Sequence, residues 1–90
     1  MLGLCGEGEG GAFSSGDRLT LRGSCPTNLD GGMLAGSWTG TAQLTLKVIE
    51  AVRQLRRVNG ERQVADAELA LATNAGSGAQ HVELVLLGRA

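Results

Sequence analysis

The sequence has no tyrosine, a single phenylalanine (Phe13), a single tryptophan (Trp38), one proline (Pro26), one histidine (His81) and two cysteines (Cys5 and Cys25) in 90 residues. So few large rings leave little with which to fill a core. Cys5 and Cys25 stand 20 positions apart, with no CxxC pair and no second set of His and Cys ligands, so a zinc site is excluded and both thiols are expected free. Charge of one sign is lacking too. Eight Lys and Arg balance nine Asp and Glu, which leaves a net charge of −1 and no basic field for phosphate backbones, so nucleic acid is excluded as a partner. No run approaches the 18 apolar residues of a membrane span, and the start has neither a cationic nor an apolar leader region. A soluble, unexported, cytoplasmic chain is expected.

What the sequence does have is glycine. There are 15, and 11 of them fall in residues 1–40. Such a segment loses much backbone entropy on ordering and offers few side chains to bury, so it is expected to pack against something larger. Its core, Gly6-Glu7-Gly8-Glu9-Gly10-Gly11, is superficially like a phosphate loop. No strand precedes it, no lysine follows at the required spacing and its two glutamates would repel phosphate, so it reads as a surface loop.

Residues 17–23 alternate polar and apolar, which predicts a short strand, and residues 24–40 read as a second loop. Over 41–57, Leu44, Val48, Val52 and Leu55 recur at helical spacing with Ala51 beside them, while Leu46 and Ile49 widen the stripe. Lys47, Glu50, Arg53, Gln54, Arg56 and Arg57 cover the solvent side. The arginines suit the negative end of the helix dipole, and Asn59-Gly60 reads as the stop. Residues 67–73 then read as a strand with Leu69, Leu71 and Thr73 on one side, 74–78 as a turn, and 81–87 as a second strand. Val82, Leu84 and Leu86 lie on one face of that strand and Val85 and Leu87 on the other, so burial between two layers is expected. The strands over 67–90 form an antiparallel hairpin for the helix to cover.

The catalytic inventory is thin. His81 faces away from Val82 on its strand, and nothing in the spacing brings it to Cys5 or Cys25. Ser14, Ser15, Ser37 and Ser77 lack a nucleophile-elbow context, and Asp17 and Asp30 stand in turns, where carboxylates cap backbone donors.

The order of motifs carries more. Asn28-Leu29-Asp30-Gly31-Gly32 resembles the N-x-x-G-G loop of the thiolase C-terminal domain, which leads into a Gly-His-Pro loop and a long helix. Here Met33-Leu34-Ala35-Gly36-Ser37-Trp38-Thr39-Gly40 stands for that loop. The segment from Val48 to Arg56 resembles the helix, and Asn74-Ala75-Gly76-Ser77-Gly78 stands where the family carries C-x-G. The start, Leu4-Cys5-Gly6-Glu7-Gly8-Glu9-Gly10-Gly11-Ala12-Phe13, is similar to a Gly-rich segment of bacterial sterol-carrier-type thiolases and lipid-transfer proteins.

This resemblance to the thiolase superfamily implies an α/β fold, a partial C-terminal half of a five-layered αβαβα sandwich that is incomplete alone. It implies acyl-CoA or steroid-CoA thioesters as ligands, no resident cofactor, and an acyl pocket lined by Gly31, Gly32, Trp38, Asn74 and Gly76. Trp38 falls at the family's histidine and Asn74 at its cysteine, and neither side chain can take over their proton transfers. Gly76 keeps the place of a glycine whose N–H serves an oxyanion hole, whereas retro-aldol chemistry by tyrosines is denied to a chain without tyrosine. Two functions follow from the resemblance: the C-terminal part of an acyltransferase or lipid-transfer protein, inactive alone, or a non-catalytic binding or assembly module. The implied partners are the missing N-terminal half or a homologous subunit, and a zinc-ribbon/OB-fold protein. An unrelated small α/β domain is the third reading.

Overall fold

The computed structural model describes residues 2–36, 38–76, 78 and 80–90. Ser37 and Ser77 lie outside the described residues. Two five-residue helices come first, α1 (Gly10–Ser14) and α2 (Gly32–Gly36), followed by a 3-10 turn at Gly40–Ala42 that runs into α3 (Gln43–Leu55). A second 3-10 turn at Gly60–Arg62 precedes the strands β1 (Leu69–Gly76) and β2 (His81–Gly88).

The strand expected over 17–23 is not formed, because among the described residues no strand lies beside it to pair with. Its backbone bonds stay local instead: Thr20 N–H to Asp17 O (3.1 Å), Gly23 N–H to Thr20 O (3.0 Å) and Cys25 N–H to Arg18 O (3.0 Å). The carbonyls of Asp17 and Arg18 press so close to Gly23 that no β-carbon fits there. Phe13 receives the Arg18 guanidinium over its ring, 4.9 Å from the centroid.

The long helix follows from the apolar spacing, with Ala51 and Leu55 buried on its inner side. Its end differs from the expected Asn59-Gly60 stop. Arg57 takes φ 58°, Val58 N–H bonds Arg53 O (3.1 Å) and Arg57 N–H bonds Gln54 O (3.0 Å), a Schellman closure with arginine in the left-handed position usual for glycine. Arg57 also reaches Asp66 (3.5 Å) and Glu68 (3.4 Å). Beneath the helix end, Glu50 accepts from Asn59, Gln54 and Arg62, while Gln54 donates to Arg62 O (2.6 Å). This knot fastens the connection to the helix and satisfies the buried amides of Gln54 and Asn59.

The strands pair antiparallel from Leu69 opposite Gly88 to Gly76 opposite His81, so β1 continues through residues expected to turn. α3 packs on both strands. Ala70 and Ala72, opposite Leu87 and Val85, face the helix, and Ala72 is 3 % exposed. Small side chains at 51, 70 and 72 let the two layers approach.

The opposite face of the hairpin corrects the expectation of a strand buried between layers. Leu69, Leu71, Val82, Leu84 and Leu86 are all exposed, Leu71 least at 43 %. One long helix covers one face, and among the described residues nothing covers the other. A compact 9.2 kDa protein exposes about 4,900 Å²; this chain exposes 6656 Å². The excess of about 1,700 Å² is roughly twice what one partner contributes to a standard interface.

Candidate functional site

The loop over residues 28–32 is built by left-handed backbone. Asn28, Gly31 and Gly32 have φ of 51°, 85° and 60°. Asn28 O accepts from Gly31 N–H (2.9 Å), and the Asp30 carboxylate accepts from Gly32 N–H (2.9 Å), an Asx turn that delivers the chain into α2. A β-carbon on Gly31 would collide with that of Ala35, whereas one on Gly32 would meet nothing within 4 Å.

This loop forms part of one wall of a groove of about 590 Å³. Leu2, Leu4 and residues 24–30 make that wall, Lys47 to Gln54 of α3 make the other, and residues 69–73 of β1 run along it. Near the middle of β1, the Lys47 ammonium donates to Thr73 O at 2.6 Å. The groove therefore brings Asn28, Asp30, Lys47 and Thr73 to one channel, with Asn74 the next residue along the strand.

The residues singled out from the sequence divide between two places. Asn74 and Gly76 lie at the distal end of β1, opposite Glu83 and His81. Asn74 Nδ2 donates to Glu83 Oε2 (3.4 Å), and these four residues share the α3-facing side of the hairpin by strand alternation. Gly31 and Gly32 adjoin the groove through Asn28 and Asp30 but do not line it, and Trp38 stands 73 % exposed ahead of the turn into α3. Thr39, beside Trp38, donates through its N–H and hydroxyl to the buried Gln43 Oε1 (both 3.3 Å), which anchors that approach to the helix. Cys5 and Cys25 are free, and Cys25 lines the groove.

Two residues escaped the sequence reading. Helical spacing puts Lys47 on the solvent side, yet it precedes Ala51 by one helical turn and so borders the apolar stripe. Glu83 shares the period-2 face of Val85 and Leu87, which sets it beside Asn74. Among the described residues no group of three or more His, Cys, Asp or Glu could hold a metal ion. No helix there is long and apolar enough to cross a membrane.

A helix laid on a terminal antiparallel hairpin, entered through a left-handed N-x-x-G-G loop, is the arrangement expected of a partial thiolase C-terminal half. The family described as thiolase C-terminal domain-like matches residues 1–89, and the chain belongs to it. It is similar to sterol carrier protein 2 of Rattus norvegicus and of Oryctolagus cuniculus, at 38 % identity over 88 residues in each case. Those alignments cover 97 % of this chain but 16 % of either relative. No solved structure matches it with significance.

Proposed function

We propose that the chain serves as the C-terminal part of a thiolase-like lipid-transfer protein of the cytoplasm that binds acyl- or steroid-CoA thioesters without transferring protons itself. The observation that carries this is the pairing of a thiolase-like order of elements, the loop over 28–32 beside the helix and hairpin, with side chains that do not titrate at the two positions where the family resemblance places a histidine and a cysteine. Asn74 is engaged with Glu83, and Trp38 is a donor only. Gly31, Gly32, Trp38, Asn74 and Gly76 are the proposed lining for the thioester end of the ligand. Gly76 leaves open space beside Asn74, and the indole offers a flat apolar surface to an acyl chain or sterol ring. The name of the relatives, sterol carrier protein 2, supports the lipid class.

Trp38 is the only tryptophan, so its fluorescence reports on the site directly. Adding palmitoyl-CoA to the chain, with a thiolase-like partner subunit co-expressed, is expected to blue-shift and saturate the emission, and Asn74→Leu or Gly76→Val to weaken binding several-fold. Unchanged emission and unchanged melting would sink the ligand assignment. Thiolysis by the chain alone would sink the non-catalytic part.

A second reading, an assembly module that docks on a partner chain, is favoured by the bare leucine face of the hairpin. Its partner is a homologous subunit or the N-terminal half of a thiolase, and a zinc-ribbon/OB-fold protein is the further partner that the family resemblance suggests. Both readings require the chain to function within something larger.

A further inference from the structure

Two elements present the same short pattern at one end of the molecule, an apolar residue followed by an arginine on the same face. On α3 and its C-cap, Val52 and Arg56 are four residues apart and so stack along one flank. Arg89 continues the hairpin ladder by one position, its N–H donating to Glu68 O (2.9 Å), so by strand alternation it shares with Leu87 the side that faces α3. Together with the buried Leu55 these residues line a cavity of about 410 Å³, a size usual for small-molecule sites. None of them lines the larger groove, which follows Lys47, Glu50, Ala51 and Gln54 along another flank of the helix.

Burial sorts this lining by polarity. Leu55 is buried and Val52 and Leu87 are half-buried, whereas Arg56 and Arg89 are exposed, so an apolar floor lies beneath a cationic rim. Arg89 is only partly engaged, 3.9 Å from a Glu68 carboxylate that Arg57 approaches more closely at 3.4 Å. Among the described residues the Arg56 guanidinium has no ion pair, and the carboxylate of Ala90, which also borders the cavity, pairs with neither arginine. The negative end of the helix does not oppose an anion here with bare carbonyls, because Val52 O, Arg53 O and Gln54 O already accept from Arg56, Val58 and Arg57. A guanidinium fork matches the two oxygens of a carboxylate. One free guanidinium suits a single negative charge better than a phosphate monoester of about −1.5 to −2.

We infer that this cavity binds a single-chain fatty carboxylate, its headgroup on Arg56 and Arg89 and the adjoining methylenes on Val52, Leu55 and Leu87. The bare outer face of the hairpin offers apolar area to the same tail, but its residues, Leu69, Leu71, Val82, Leu84 and Leu86 among them, include no Lys or Arg, so charge directs the ligand to the cavity. The site is separate from the proposed thioester lining. Gly76 pairs with His81 at the far end of the hairpin, about 23 Å along the strands from the Leu69–Gly88 pair beside the cavity.

The test is a nuclear magnetic resonance titration of the isotope-labelled full chain with sodium laurate below its micellar concentration. Saturable shifts are expected at the amides of Val52, Leu55, Leu87 and Arg89, with Leu71, Leu84 and Leu86 little changed. A buried methylene strengthens binding about fourfold, so octanoate is expected to bind about tenfold or more weaker than laurate, and acetate not measurably. Dodecyltrimethylammonium, with the same tail length and the opposite charge, is expected to shift these amides at least tenfold more weakly. Arg56→Gln combined with Arg89→Gln should weaken laurate about tenfold without disturbing the spectrum elsewhere, since both side chains are exposed, while Arg56→Lys alone should retain most of the affinity.

Equal binding of laurate and the ammonium amphiphile would overturn the inference, as would shifts centred on Leu84 and Leu86. Dodecyl phosphate binding more tightly than laurate would overturn the carboxylate assignment. Shifts at Leu55 and Leu87 on concentrating the chain without laurate would make a second copy the occupant. Laurate carries no thioester, and Trp38 precedes the other end of α3, so a failure here leaves the palmitoyl-CoA experiment unaffected.

Discussion

Gly31 and Gly32 show how two identical neighbours do different work. Both have left-handed backbone, but only at Gly31 would a side chain also strike Ala35. Gly32→Ala is therefore expected to cost about 1 kcal/mol for its backbone conformation alone. Gly31→Ala should cost about 2–3 kcal/mol, because α2 must also shift. Amide exchange over residues 28–36 reads both, and equal effects would show that the close approach to Ala35 is not maintained. Glu50 offers a second contrast. Glu50→Ala strips acceptors from the buried Asn59 and Gln54 and is expected to cost about 1–3 kcal/mol in urea unfolding. Glu50→Gln keeps one acceptor oxygen and should cost clearly less. Neither role was legible beforehand: a glycine pair announces freedom but not its neighbours, and Glu50 on a helical wheel is simply a polar position.

At the scale of elements, periodicity did well where the packing partner lies nearby in the chain. The helix rests on a stripe from Leu44 to Leu55, and the hairpin on alternation that its own return strand satisfies. The same alternation over 17–23 failed because a strand needs an edge to bond, and its carbonyls instead found amides three to eight residues away. The bare hairpin face yields a direct prediction. Leu84→Lys combined with Leu86→Thr should lower self-association and the binding of an apolar dye by the isolated chain, with the melting temperature changed little, because both leucines are exposed. Sedimentation and dye fluorescence measure this. A large loss of stability would mean that the leucines pack within the monomer. In the presence of the partner the same variant should assemble less well.

For the whole molecule, area decides more than any motif. Among the described residues, a buried apolar set of Ala51, Leu55 and Ala72, with no large side chain fully enclosed, is a small core for a chain of 90 residues. About 1,700 Å² of excess surface at roughly 25 cal/mol per Å² of apolar area is a considerable unused driving force for association. The family assignment rests on nearly the whole chain, yet the chain spans 16 % of the relatives it matches. The candidate site follows the same pattern. Its loop and hairpin tip were visible as an ordered set of short motifs, but the groove joining Asn28 and Asp30 to Lys47 and Thr73 exists only because α3 and β1 lie alongside each other.

The sequence by itself determined what is local: glycines crowded into the first 40 residues, one amphipathic helix, one hairpin, a thiolase-like order of motifs, and side chains at 38 and 74 that cannot move protons. These depend on composition and on spacings of a few residues. Tertiary structure alone decided which hairpin face the helix covers. It also decided that Lys47 leaves the solvent side to hold a strand carbonyl. Those outcomes depend on register and on elements more than 20 residues apart, and register follows from which faces find a layer to bury against.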